Sequence, residues 1–357
     1  MRYPKAGLIA LFVLIFSARA HAAPEVSGLV NARAETRTVT SSLAREVRAL
    51  LAGRTDRFWM GYVVPAAGKH RSCCWSSSDE AGCGGCRLEE DEGRGSFRTS
   101  RSEPVALEGS DRMRILLRAE GGRVTQVRTV SEDCGLDAGG LSFVWLEGVR
   151  AADSVAFLSG LLGAGGPGKG VEEASLAAIA LTGDPSADLV LERLVAPDGS
   201  EHWRKPAAFW MGQARGAKGF ATLRQLVRTD PSPRFREHVV FAISQSREAG
   251  AIDQIIDVAK HDESGQVRGQ ALFWLAQSAS RRAPAAIQSA LAEDPEVEVK
   301  KKAVFALSQL PKDEGVPLLI RVAETHKSVE VRKQAMFWLG QSQDSRALQF
   351  FEDVLKR

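Results

Sequence analysis

His70, Cys73, Cys74, Cys83 and Cys86 fall within 17 residues, and Cys134 stands apart further on. Thiols and an imidazole this close support three kinds of chemistry. They can hold a tetrahedral zinc ion, with Cys83 and Cys86 at knuckle spacing. The pair in Cys83-Gly84-Gly85-Cys86 can act as a redox dithiol, which is expected at a helix N-terminus after a strand. In an oxidising compartment the same residues form disulfides that close a long loop. Glycine and serine surround the cluster, and an export leader precedes it, so disulfides are the reading adopted. The candidates are Cys73, Cys74, Cys83, Cys86 and Cys134; five leave one over, and spacing does not reveal the pairing. A c-type haem attachment motif is absent, because Arg87 follows Cys86 where histidine is required.

Other chemistry finds no motif. The chain has no GxSxG, no HExxH and no phosphate loop, so no catalytic residue, metal ligand or cofactor is assigned. Glu89-Glu90-Asp91-Glu92 reads as a solvated loop, too contiguous to face a substrate from two sides. His202, His238, His261 and His326 fall mostly at expected inter-helix turns and read as surface or capping residues.

The elements that would position these residues begin after a leader. Arg2 and Lys5 precede the apolar run Gly7 to Phe16, and Ala20-His21-Ala22 is a small-x-small cleavage site, so residues 1–22 read as a signal peptide. The run is too short to span a bilayer. The full chain carries a formal charge of +3, and the leader holds Arg2, Lys5, Arg19 and no acid. The mature chain is therefore neutral, with 44 cations and 44 acids. Interspersed signs at zero net charge give no reason to expect nucleic acid.

Four segments follow. Residues 23–53 hold one amphipathic helix, with Leu43, Val47, Leu50 and Leu51 at helical spacing. Residues 54–150 read as a small antiparallel β domain with a cysteine-rich loop. Its strands are Phe58 to Val64, Arg112 to Ala119, Arg123 to Val130 and Leu141 to Leu146, and Gly121-Gly122 marks a hairpin. Residues 151–165 form a connecting helix, and the glycines from Gly163 to Gly170 suggest a linker.

Residues 166–357 are repetitive. Phe209, Phe241, Phe273, Phe305 and Phe337 recur every 32 residues, each followed four positions later by Gln213, Gln245, Gln277, Gln309 or Gln341. Five positions before each Phe stands a cation: Arg204, Arg236, Arg268, Lys300 or Arg332. Six before the cation stand Asp198, Asp230, Asp262 and Asp294, with His326 breaking the series. Ser200, Ser232, Ser264, Glu296 and Ser328 then sit where a helix N-cap is needed. Two helices and two turns fill each period, so each unit is a helix hairpin that buries its apolar face on its neighbours. A degenerate sixth unit at about 166–197 has Glu172 in place of the cation.

This pattern resembles the HEAT repeat, in particular the short bacterial HEAT-like repeats also seen in phycobiliprotein lyases. The acid, the cation six positions on (as in Asp262 and Arg268) and the Phe-centred apolar helix carry the resemblance. It implies an α-solenoid in which acids and cations form an inter-repeat ladder, here Asp198, Arg204, Asp230, Arg236, Asp262, Arg268, Asp294, Lys300 and Arg332.

Around each Phe the helix is apolar on nearly all sides, which places these helices in the core. The alternation Trp210, Ala242, Trp274, Ala306, Trp338 reads as packing between unlike neighbours, and the glutamines as buried amides bonded to backbone at the turns. An α+β chain of this kind, an antiparallel β domain followed by an all-α solenoid, is expected to be an exported protein-binding scaffold. The solvated face of the second helices would meet a protein or peptide, with Arg224, Arg228, Asp253, Asp257 and Arg321 as candidates. Two rivals stand beside it. One is thiol-redox or metal-dependent activity at the Cys73–Cys86 loop with the solenoid as substrate dock. The other, drawn from the repeat type, is a lyase-like chaperone that delivers a cofactor.

Overall fold

A computed structural model describes residues 28–73, 82–83, 86–89, 105–106, 108–163 and 168–356. The leader, Cys74 and residues 164–167 of the glycine linker lie outside these residues. The strands are β1 (Leu29–Val30), β2 (Arg33–Thr38), β3 (Phe58–His70), β4 (Gly82–Cys83), β5 (Cys86–Arg87), β6 (Val105–Ala106), β7 (Ser110–Glu120), β8 (Arg123–Ser131), β9 (Leu136–Asp137) and β10 (Ser142–Glu147). Helix α1 (Leu43–Leu51) crosses between β2 and β3.

The main sheet runs β2-β10-β3-β7-β8. Its β3–β7–β8 meander is antiparallel, and Gly121 and Gly122 both take positive φ at the hairpin, as a two-residue primed turn demands. The edge beyond β3 adds two parallel pairs, since β10 lies parallel to both β2 and β3. The α1 crossover explains this: it returns the chain so that β2 and β3 point the same way and leave a slot between them. Residues 23–53 thus hold strands as well as their helix.

Alternation along β3 sends Phe58, Met60, Tyr62 and Val64 to one face, where they pack with Leu43, Val47 and Leu50 of α1. Trp59 points the other way, onto Leu116 and Phe143 and the buried Cys73, Cys86 and Cys134. Gly61 is required beneath Phe143, because a Cβ there would come within 2.8 Å of that ring.

The connecting helix α2 (Ala151–Ser159) completes the first face, and Ser154 Oγ bonds the buried Tyr62 hydroxyl at 3.0 Å. Burial pushes the Tyr62 phenol well above its ordinary pKa, against a smaller pull from Ser154. The degenerate unit is the pair α3 (Lys169–Leu181) and α4 (Pro185–Val195). Val171, Ala178 and Ile179 of α3 pack on the sheet. That accounts for its divergence: its neighbour is a β-sheet, so the repeat's own contact residues have no counterpart.

Five regular hairpins follow: α5 (Glu201–Ala214) with α6 (Gly216–Thr229), α7 (Pro233–Ser244) with α8 (Ala251–His261), α9 (Gly265–Gln277) with α10 (Ala283–Glu293), α11 (Val297–Ser308) with α12 (Lys312–Thr325), and α13 (Val329–Gln341) with α14 (Ser345–Leu355). The residues Ser200, Ser232, Ser264, Glu296 and Ser328 are the N-caps of the first helices. Ser232 and Ser328 accept the capping bond through Oγ. Successive first helices pack closely on one another while successive second helices barely meet, so the stack curves with its first helices on the inner side. Gly212 permits one such approach: a Cβ there would lie 1.9 Å from the Ala242 carbonyl oxygen.

Candidate functional site

The ladder connects repeats but with a different partner from the acid six residues upstream. Arg204 donates to Asp230, Arg236 to Asp262 and Arg268 to Asp294, each 26 residues ahead. The pairing of Arg268 with the Asp262 carboxylate is therefore corrected: Arg268 Nη1 donates to the backbone carbonyls of Asp262, at 2.8 Å, and Glu263, at 3.3 Å. The offset is geometric, because the cation sits one turn inside its helix and points at the next unit's turn. The hydrogen bonds it donates to Asp294 hold the Arg268 guanidinium well above its usual pKa, against the opposing effect of burial. Asp198 is exposed, since the residue 26 before it is Glu172, which has no proton to give. Lys300 finds no acid ahead and reaches the Ala292 carbonyl at 3.4 Å. Arg332 donates to the His326 carbonyl at 2.8 Å.

The phenylalanine column is not in the core. Phe209, Phe241, Phe273 and Phe305 are half-buried and Phe337 is 55% exposed. The core of the first helices is made by their smaller and aliphatic neighbours, such as Ala271, Leu272 and Leu275. Apolar residues all round these helices thus serve two surfaces, one inside the stack and one on its inner face.

On that face eight rings touch in unbroken order: Trp210, Phe209, Phe241, Trp274, Phe273, Phe305, Trp338, Phe337. Their centroids are 4.8–5.9 Å apart. The Trp/Ala alternation builds this ribbon. Trp274 lies on Phe241 and Trp338 on Phe305, each reaching back over the preceding repeat. Trp210 has Ala177 where that preceding Phe would be, and it lines a cleft of about 1410 Å³ instead. The cleft's far wall is β8, from Thr125 to Val130, so the ribbon runs into the space between solenoid and sheet. The indole N–H groups of Trp274 and Trp338 are buried with no hydrogen-bond partner, an arrangement that costs stability.

Glutamines edge the ribbon. Gln213, Gln277 and Gln341 are exposed and Gln245 and Gln309 half-buried, which corrects the expectation of buried amides at the turns. Gln245 and Gln309 donate to Ser244 Oγ and Ser308 Oγ, both at 3.1 Å, and Gln277 donates to Gln309 at 3.4 Å.

The charges assigned to the second helices lie on the outer side, and of the five only Arg228 and Asp257 pair with each other. Arg224 donates to Gln254 at 3.2 Å, Arg228 lies 3.7 Å from Asp257, Asp253 pairs with Arg282 and Arg321 is exposed. Of the histidines, His238 sits within α7, not at a turn; its Nε2 lies 2.8 Å from the Lys205 carbonyl and its ring abuts Phe241 at 5.5 Å. Burial lowers its pKa.

In the β domain Cys73 and Cys134 form a disulfide. Cys86 is also disulfide-bonded, to a cysteine outside the described side chains, which include neither Cys74 nor Cys83. Among the described residues no three His, Cys, Asp or Glu side chains gather as a metal site would need. His70 Nε2 is buried without a hydrogen-bond partner beside the cleft, and burial lowers its pKa. Glu89, expected to be solvated, is anchored: Trp59 Nε1 donates to it at 2.7 Å and Arg118 Nε at 3.1 Å. Burial raises its pKa, but these bonds outweigh burial and the net shift is downward.

The family comparison agrees with the repeat pattern. The model of HEAT repeats matches residues 187–276 and 283–357, and this part of the chain consists of such repeats. No curated protein matches the chain. Similar solved structures include human deoxyhypusine hydroxylase in complex with glycerol, at 18% identity and TM-score 0.30, covering 54% of this chain and 77% of that one. The complex of CpcE and CpcF of phycocyanin lyase from Nostoc sp. PCC7120 is another, at 16% identity and TM-score 0.31, covering 55% and 79%. Among the described residues no helix is long and apolar enough to cross a membrane.

Proposed function

We propose that this is an exported protein-binding scaffold whose HEAT repeats hold a partner polypeptide against their inner face. One observation carries the reading: an aromatic ribbon spans all five regular repeats while staying half-exposed. Packing alone would bury it, and leaving two indole N–H groups unpaired beneath it lowers stability, as binding surfaces commonly do. The surface thus moves from the charges of the second helices to the first helices, where the aromatic contact is continuous from repeat to repeat. Export is supported by the leader and by disulfides, which persist in oxidising compartments.

The test is a paired comparison in which partners are crosslinked in the envelope fraction. Phe241→Ser with Phe273→Ser should abolish capture, whereas Arg224→Glu with Arg228→Glu should leave it intact. The reverse result would return the site to the outer face. A second reading, thiol exchange at Cys86, draws on that residue's place beside the cleft, with Arg128 Nη1 at 3.7 Å from its sulfur. Capture that survives the ribbon variants but is lost in Cys86→Ser would favour it.

A further inference from the structure

His326 occupies the repeat position of Asp230, Asp262 and Asp294. Each of those carboxylates does two things. Oδ1 accepts the backbone N–H two residues on, at 3.0, 2.8 and 2.9 Å, and the same side chain receives the arginine of the preceding repeat. His326 does the first through Nδ1, which accepts the Ser328 N–H at 3.1 Å. The second it reverses. Its Nε2 faces the Leu291 carbonyl at the end of α10, in the third regular repeat, at 3.3 Å. With Nδ1 accepting, the proton belongs on Nε2, which donates. Three rungs send a donor forward along the stack, and this one sends it back. The Leu291 carbonyl is the counterpart of the Val195 carbonyl, which Arg204 Nε takes at 3.3 Å in the first rung.

We infer that His326 makes the junction between the fourth and fifth regular repeats acid-sensitive, a joint that holds with a neutral imidazole and loosens with a charged one. Protonation removes the Nδ1 lone pair, so the Ser328 N–H loses its acceptor and faces another N–H. It also places a positive charge among cations. Lys300 approaches from α11, where it already reaches the Ala292 carbonyl. Arg332 on α13 donates to the His326 carbonyl, and Lys327 is next in the chain. Glu293, the acid that ends α10, accepts from Ser289 Oγ at 2.9 Å. The joint therefore holds while the imidazole is neutral and loosens when acid charges it. The aspartate rungs contain no imidazole and do not share this response. The Phe305–Trp338 contact at 4.9 Å crosses the same joint, so the last link of the ribbon opens with it.

Hydrogen exchange of the mature protein at pH 7.5 and 5.0, corrected for intrinsic rates, tests this. Protection over residues 328–341 should fall about fivefold on acidification, the worth of one lost hydrogen bond, while residues 264–277 keep theirs. In His326→Asn the amide oxygen caps Ser328 without titrating, so the local drop should vanish. His326→Asp should do the same and place a carboxylate ahead of Lys300, which keeps the test valid if the asparagine variant folds poorly. Equal protection at both pH values in the native sequence would overturn the inference, as would a drop that persists in both variants.

Discussion

Arg236 and Asp262, in adjacent repeats, meet through two hydrogen bonds: Nε to Oδ2 at 3.0 Å and Nη2 to Oδ1 at 2.9 Å. Both side chains are about 95% buried. The third arm, Nη1, takes the carbonyl of Asp230 in Arg236's own repeat at 2.8 Å. Asp262 also accepts the Ser264 N–H at 2.8 Å. One guanidinium therefore closes its own turn and fixes the next, which couples local helix capping to the spacing of the stack.

Arg268→Ala removes one partner of such a buried pair. It should cost about 3–5 kcal/mol, and exchange should rise mainly over residues 260–300 because solenoid contacts are between neighbours. Arg268→Lys should restore little, since an ammonium cannot reproduce the two-pronged geometry. Denaturant unfolding and hydrogen exchange measure both; a change below 1 kcal/mol would mean the pair is solvated.

Gly212→Ala places a Cβ against the Ala242 carbonyl. Backbone cannot yield as a side-chain tip can, so the α5–α7 contact should open at a cost of about 1–3 kcal/mol. Gly53→Ala has open space around its Cβ and a positive φ of 74°. Its cost should be conformational and confined to the α1–β3 turn. Thermal unfolding with local exchange distinguishes the two.

The Glu89 carboxylate has its folded pKa held below the unfolded value. Its contribution to stability is present above the unfolded carboxylate pKa, about 4.3, and fades as pH falls through the lower folded value. Glu89→Gln should therefore destabilise the β domain near neutral pH, and the difference from the native sequence should shrink on acidification below pH 4. Unfolding curves of both proteins from pH 7 to 3 check this.

Two disulfides account for four cysteines. With Cys73 bonded to Cys134, the partner of Cys86 must be Cys74 or Cys83 within the chain, and the remaining one is left as a thiol. Thiol counting in denaturant should give one per chain, with no stoichiometric metal. Five thiols and one bound zinc would restore the metal reading.

Export should be visible at the new N-terminus. Sequencing of protein from the envelope fraction is expected to begin near Ala23, and recovery of uncleaved chain from the cytosol would refute the leader.

Much of this architecture was legible because periodicity is a property of the sequence. A 32-residue interval in Phe, Gln, cation and acid defines the hairpin unit, its caps and its stacking without coordinates. The β7–β8 hairpin was legible for a similar local reason, since two adjacent glycines supply the positive φ values of its turn. The β2–β10 and β10–β3 pairs were not, because parallel neighbours more than 80 residues apart leave no local mark.

The candidate site divides the same way. The sequence placed aromatics and glutamines at fixed positions on each first helix, but an apolar residue carries no statement of which apolar surface it meets. Curvature decided that, by turning the first helices inward and setting the Phe–Trp seam along the open side. The ladder's residues were likewise named by spacing, while their partners followed from the stack: an arginine one turn inside its helix meets the carboxylate of the next repeat's turn and only the backbone carbonyl of the acid six residues behind it. Residue type fixed what each rung can donate or accept. Only the packed neighbours decided to whom.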